Sequence, residues 1–387
     1  MTMRQRVILA GMTTRAMASS AIAAGHSVIA VDAFGDLDHP AAGSLTSLPR
    51  DFGVAFTAAR AALVASHLPA GAAAYAASFE NDPEAVERLG RGRALWGNSA
   101  AILDSVRNPL LVSRALREAG LPTPAVRSSA PRYGRGHWLL KPRRSGGGQR
   151  IQPWQGSGSV PRWGYLQEAI AGTPGSLLFV ANGRRMVPIG LTRQLIGDRR
   201  FGATGFRYVG NLLGSARSPL FPRESELLAR IVAAAEVVTE RFGLVGVNGI
   251  DFIARGGIPY PVEVNPRWTG AMELTESAYG LPLFAWHRDS CAGALPAFAL
   301  DEAREAHPVH GKAIVFTRES MTAGDTRRWL GETWIADIPQ PGETIRAGHP
   351  ACTVFGTAAT GGETVRRLLA GQRQFLDWAR KRRRSAA

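Results

Sequence analysis

Residues 245–270 read VGVNGIDFIARGGIPYPVEVNPRWTG, and the reading of this stretch decides the fold of the chain around it. Two short apolar runs, Val247 to Ile253 and Tyr260 to Val264, flank Arg255-Gly256-Gly257-Ile258, which is a hairpin signal. Strand side chains alternate between faces, so Glu263 and Asn265 point one way and Val262 and Val264 the other. Asp251 joins that polar face if the register sets it against Glu263. A plain two-residue turn would pair Asp251 with Val262, so the shared face needs an odd-length loop or a bulge around the two glycines. Two carboxylates and an amide oxygen converging in this way are hard ligands suited to Mg2+, which keeps waters and binds substrate phosphates as well. Arg267, just past the strand, would set a fixed positive charge beside them. The competing reading is an exposed hairpin whose acidic residues are merely solvated.

The pattern Asp-x11-Glu-x-Asn-Pro-Arg resembles the metal-binding end of ATP-grasp enzymes, where an acidic residue on one strand and Glu-x-Asn-x-Arg on the next hold magnesium ions. The resemblance implies ATP with Mg2+ or Mn2+ as cofactors. It makes Asp251, Glu263 and Asn265 metal ligands, and Arg267 the residue that steadies the transferring phosphate or the acyl phosphate.

Composition bounds the alternatives. At 387 residues the chain is too long for one small core. It has no apolar run long enough for a membrane span, and its N-terminus reads as a first strand rather than a cleavable signal. Cys291 and Cys352 have no paired ligand spacing, and a reducing cytoplasm is the expected location. The net charge is +15, part of it in Arg380-Lys381-Arg382-Arg383-Arg384. Such a run is usually a solvated, disordered tail and sometimes contacts nucleic acid, which is not the expected partner here. Among 46 basic residues only Lys141, Lys312 and Lys381 are lysine. A lysine surviving at a strand end in so arginine-rich a chain needs a reason, and a compact point charge suits a crowded phosphate site.

In chain order, residues 5 to 32 read strand, helix, strand, the start of an N-terminal βαβ domain ending near residue 100. The dinucleotide fingerprint is missing. Thr13, Thr14 and Arg15 open the helix, where they could hold a carboxylate or phosphate; simple helix capping is the alternative. A helix follows over Asn108 to Ala119, stopped by Gly120 and two prolines. In HWLLKPRRSGGGQRI an apolar strand delivers Lys141 to a loop carrying Gly146, Gly147 and Gly148, whose backbone N–H groups can close over phosphates. Ser176 to Val180 and Arg185 to Leu195 form a hairpin across Asn182-Gly183. Leu195 to Gly214 reads as a substrate-side loop. Glu224 to Phe242 is an amphipathic helix feeding the acidic hairpin, and the chain beyond Gly311 is strand-rich, with a final helix from Glu363 to Ala370.

The resemblance extends from about residue 97 to 275 and adds roles to these segments. Lys141 contacts the α- and β-phosphates under the Gly146–Gly148 lid, and Arg107 stands nearest the position of a phosphate-binding lysine. Glu168, Ala169 and Ile170 take the hinge places that read adenine, and Gln194 lies near the nucleotide. The fold class is α/β, in the ATP-grasp form: an N-terminal domain (1–100), an ATP-grasp domain of two subdomains (101–300), a β-rich C-terminal region (301–378) and a basic tail (379–387). The implied activity is ligation: a carboxylate activated by ATP as an acyl phosphate is attacked by an amine, releasing ADP and phosphate. The partners are small-molecule carboxylate and amine substrates, and a homodimer is an open assembly. NPRWTGAMEL and DIPQPGETIRAGHPACTVF resemble the branch of carboxylate–amine ligases that includes tyramine–glutamate ligases and relatives serving one-carbon carrier biosynthesis. The alternatives are a biotin-carboxylase-like or carbamoyl-phosphate-type activator of bicarbonate, and a non-catalytic nucleotide- or RNA-binding protein.

Overall fold

The strand Arg6–Ala10 is buried from Val7 onward, as an apolar run with no alternation requires when both faces are covered. It is the centre of a five-stranded parallel sheet ordered Leu45–Ser47, Ser27–Asp32, Arg6–Ala10, Ala72–Tyr75, Leu95–Trp96. The computed structural model describes residues 5–130, 137–156 and 159–385. Among them no helix is long and apolar enough to cross a membrane.

After the helices Ala100–Val106 and Pro109–Glu118 comes a small antiparallel sheet ordered Val126–Arg127, Gly164–Glu168, Trp138–Pro142, Gln152–Pro153. The main body is one eight-stranded sheet. Its order is Ile258–Asn265, Val245–Arg255, Thr173–Asn182, Met186–Ile196, Tyr208–Leu213, Val309–Phe316, Pro350–Ala358, Ile335–Ala336. The C-terminal strands thus extend the same sheet that carries the acidic hairpin. Tyr208–Leu213 corrects the expectation of a loop over 195 to 214. Flanking arginines and glycines mask an apolar segment that pairs on both sides, with Met186–Ile196 and with Val309–Phe316. The last helix runs Gly361–Ser385, well past Ala370, so the basic run from Arg380 continues a helix; Ala386 and Ala387 lie outside the described residues.

Helix Glu224–Phe242 packs its Leu227, Ile231, Ala235 and Val238 stripe on Leu177, Phe179, Ile250 and Phe252, one face of this sheet. Each fully buried Leu, Ile, Val or Phe among them contributes about 1.5–3 kcal/mol. That rigid layer fixes the hairpin's other face, where the polar residues stand.

Candidate active site

The hairpin turns through Gly256 and Gly257, both with positive φ, as a plain two-residue turn with Arg255 opposite Ile258. Phe252 then opposes Pro261, and the register shifts so that Asp251 opposes Glu263 and Gly249 opposes Asn265. The bulge that the shared face requires is therefore present, but at Val262 in the strand and not around the glycines. Proline has no N–H for the ladder, and Pro259 and Pro261 weaken this side of the pairing. The carbonyl of the extra residue, Val262, accepts from Lys141 Nζ at 3.3 Å and from Gln167 Nε2 at 3.2 Å. Lys141 Nζ also donates to Gln167 Oε1 at 3.0 Å. The rare lysine and the oxygen cluster thus meet at one bulged peptide.

Asn265 Nδ2 donates to Asp251 Oδ2 at 3.0 Å, and Ser176 and Gln194 also hydrogen-bond Asp251. Burial, then the neighbouring Glu263 charge, push the Asp251 carboxyl up to about 6. Burial also acts upward on Glu263, but Arg107, Lys141 and Arg267 outweigh it and hold that carboxyl below its ordinary range. Two half-buried carboxylates in register, one of them raised by burial and by the other's charge, form with the Asn265 amide a hard-oxygen donor set that fits a divalent cation.

Arg107 sits between two helices and draws the site together. It donates to Glu263 Oε1 at 2.6 Å, Val264 O at 3.0 Å, Asn81 Oδ1 at 3.0 Å and Ser145 O at 3.0 Å. Arg267 pairs with Glu80 Oε1 at 2.7 Å and donates to Asn265 Oδ1 at 3.3 Å. Gly148, at φ +74°, leaves no room for a side chain: a Cβ would lie 1.8 Å from the Phe206 carbonyl. Tyr208 N donates to Gly147 O at 3.1 Å, so the glycine loop is docked on the segment before strand Tyr208–Leu213. The cavity left between loop and hairpin is about 40 Å³, lined by Arg107, Lys141, Gly146, Gly148, Gln167 and Glu263 among others.

Not every expected residue reaches that cavity. Glu168 ends its strand, and its carboxylate accepts from Ala125 N at 3.1 Å. Ala169 N donates to His137 O at 2.8 Å, and neither these two nor Ile170 lines the cavity. Gln194 lies against Asp251. Residues not anticipated are Gln167, Glu80, Asn81 and Tyr208. Gln167 was legible as the face-mate of Tyr165 opposite Lys141; Glu80 and Asn81 come from the N-terminal domain and gave no sequence signal.

Residues 106–271 match the family described as an ATP-grasp domain. The chain carries an ATP-grasp domain. An uncharacterized protein of Methanocaldococcus jannaschii is 33% identical over 120 residues, 30% of this chain and 28% of that protein, so the match spans under a third of the relative. The fold is similar to that of Rhizobium etli pyruvate carboxylase (TM-score 0.70, 15% identity, 94% of this chain but only 35% of that one). It also resembles the L-amino acid ligase of Bacillus licheniformis (TM-score 0.65, 15% identity, 96% and 97% covered). A third likeness is to the biotin carboxylase domain of Hydrogenobacter thermophilus 2-oxoglutarate carboxylase, solved with MgADP and bicarbonate (TM-score 0.67, 14% identity, 94% and 88% covered). At these identities the likeness is one of fold. The likeness of fold covers 94–96% of this chain in these three structures, while the family match is confined to residues 106–271.

Proposed function

We propose that the chain is an ATP-dependent ligase that activates a carboxylate as an acyl phosphate for attack by an amine, releasing ADP and phosphate. The observation that carries this reading is the bulged Val262 carbonyl, which brings Lys141 beside Glu263 in the register that sets Glu263 against Asp251. Lys141, Arg107 and the backbone of Gly146, Gly147 and Gly148 bind the phosphates. Glu168, Ala169 and Ile170 bound the adenine end, and Gln194 fixes Asp251. Asp251, Glu263 and Asn265 hold Mg2+, which when bound neutralises phosphate charge. Arg267, held by Glu80, faces the transferring phosphoryl group and the acyl phosphate, where positioning and charge stabilisation are what the chemistry needs.

A cavity of about 40 Å³ is far below the roughly 300–1,000 Å³ of ligand pockets. The lid must lift for nucleotide to bind, which requires the Arg107–Ser145 and Tyr208–Gly147 hydrogen bonds to open. The test is ADP release measured across a panel of amino-acid and dicarboxylate substrates, with hydroxylamine as a small trap for acyl phosphate. A carboxylate-dependent hydroxamate, lost in Asp251→Asn with Glu263→Gln, is the expected result. ADP release driven by bicarbonate alone, without hydroxamate, would redirect the reading to bicarbonate activation. ATP binding without turnover under any condition would leave a regulatory protein.

A further inference from the structure

Beyond the acidic hairpin the chain is gripped from outside its own sheet. Strand Ile258–Asn265 makes its last pairing at Asn265, opposite Gly249, and then leaves the ladder. Arg267 N donates to Asn265 O at 2.9 Å, so Pro266 is the middle residue of a three-residue turn. Proline has no N–H, and its backbone can be anchored only through the carbonyl. Asn98 Nδ2 donates to that oxygen at 3.0 Å. The Tyr75 hydroxyl, which donates to Asn98 O at 2.7 Å, lies 3.4 Å from the same oxygen.

Both side chains come from the five-stranded parallel sheet. Tyr75 closes strand Ala72–Tyr75, and Asn98 follows strand Leu95–Trp96; they are 2% and 1% exposed. The Asn98 amide is fully used. Its Oδ1 accepts from Val245 N at 2.9 Å, and its Nδ2 also donates to Asn248 Oδ1 at 2.9 Å and Val245 O at 3.2 Å. Asn248 in turn donates to Gly246 O at 2.9 Å. One buried amide therefore ties the first residues of strand Val245–Arg255 to the turn after its partner strand, the two ends of the hairpin. A satisfied buried network specifies one arrangement, because any displacement leaves polar groups unpaired where water cannot replace the lost bond.

The consequence falls on Arg267. A peptide unit is planar, and the one between Pro266 and Arg267 is held at both polar ends, its oxygen by Asn98 and Tyr75 and its N–H by Asn265 O. The direction in which the Arg267 side chain leaves the backbone is thereby set. Its guanidinium is fixed from the far end, donating to Trp268 O at 3.0 Å and Asn265 Oδ1 at 3.3 Å beside Glu80. Trp268, Ala271 and Met272 already bury the segment in the core, so the polar clamp adds orientation to an anchorage that packing supplies.

We propose that Asn98 and Tyr75 are positioning residues for Arg267: they fix the Pro266–Arg267 peptide plane and so the direction from which the guanidinium meets the transferring phosphoryl group. The inference rests on the ligase reading above for the role of Arg267, and adds that the N-terminal sheet aims that residue.

The test has a structural and a kinetic arm, both on the full chain. Hydrogen exchange of Asn98→Ala and Tyr75→Phe, read by mass spectrometry, should rise over residues 266–270 and stay at the wild-type level in helix Glu224–Phe242. In hydroxamate formation, Asn98→Ala should lower kcat by about 10- to 100-fold and leave KM for ATP within about threefold, since misalignment costs turnover more than binding. Tyr75→Phe removes one hydroxyl and should move kcat the same way by a smaller factor. The deciding comparison is made in Arg267→Lys, which keeps a charge but loses the fork held by Trp268 and Asn265. There Asn98→Ala should cost about threefold at most, because residues that act through one another are not additive. An equal fall in both backgrounds, or exchange over 266–270 unchanged in both variants, overturns the inference and leaves the ligase standing. Absence of any hydroxamate in the wild type overturns the ligase reading instead, and exchange over 266–270 then decides whether Asn98 and Tyr75 hold the Arg267 segment.

Discussion

Asp251→Asn should make the protein more stable at neutral pH while abolishing turnover. The carboxyl is raised from 3.8 to about 6 by burial and by Glu263. A shift of roughly two units, at about 1.4 kcal/mol each, means about 3 kcal/mol of native-state stability lost when Asp251 ionises. The sign follows from the direction: a raised carboxylate binds its proton more tightly in the folded chain. Stability therefore falls as pH rises from about 4 to 6, and the loss is complete above that. Asparagine is neutral throughout and escapes the loss, but it weakens the hydrogen bond from Asn265, by about 1 kcal/mol. The net gain is about 2 kcal/mol at pH 7.5, a melting-temperature rise of about 2–3 °C for a chain of this length. It should shrink below pH 6, vanish between pH 4 and 5, and reverse at lower pH, where only the weakened hydrogen bond remains. Calorimetry of both proteins from pH 4 to 8 gives the curve. Added Mg2+ with ADP should then stabilise the wild type more than the variant, reversing the order. A variant less stable at pH 7.5, or an advantage that does not change with pH, would refute the reasoning that Asp251 is a destabilised carboxylate awaiting a cation.

Lys141→Met removes a charge but leaves Gln167 donating to Val262 O, so the fold should hold. Loss of one charge-assisted phosphate contact, about 1.5–3 kcal/mol, should raise KM for ATP by roughly 10–150-fold in steady-state assays of ADP release. Glu80→Gln leaves Arg267 without its buried partner and should cost about 3 kcal/mol or more, seen in urea unfolding, together with a fall in kcat exceeding any change in KM for ATP. Gly148→Ala drives a methyl into the Phe206 carbonyl, so the glycine loop cannot dock as it does here. Limited proteolysis should cut residues 143–150 faster in that variant than in the wild type.

The parts of the fold that were legible in the sequence are those in which local pattern and tertiary role agree. The Asn182-Gly183 turn pair gave the hairpin, expected over 176–180 and 185–195 and longer in the fold at Thr173–Asn182 and Met186–Ile196, and the apolar stripe of Glu224–Phe242 gave the helix beneath it. Lys141 stood out because nearly every other basic residue is arginine. Tyr208–Leu213 was missed because its apolar character is short and bracketed by turn-like residues; its strand state comes from two partners far along the chain. Arg15 was misread because a basic residue at a helix start suggests an anion, whereas the charges that decide its role, Asp337 and Glu273, are brought to it only by the fold.

The bulge at Val262 shows how a local defect in regular structure makes the site. If the plain register from the turn were continued past Phe252 and Pro261, Asp251 would oppose Val262 and Glu263 would oppose Ile250. Ile250 is fully buried against helix Glu224–Phe242, so Glu263 would be driven into an apolar layer with no partner for its charge. One extra residue turns Glu263 and Asn265 to the face of Asp251, keeps Val264 in the core, and frees a carbonyl for Lys141. The sheet gives up one regular pairing there. In return, two like charges are brought to about the spacing of opposed strand residues, roughly 4.5–5.5 Å, where Arg107 and Lys141 hold Glu263 ionised and Asp251 carries the cost. The same residue insertion therefore creates both the electrostatic stress at Asp251 and the means of relieving it.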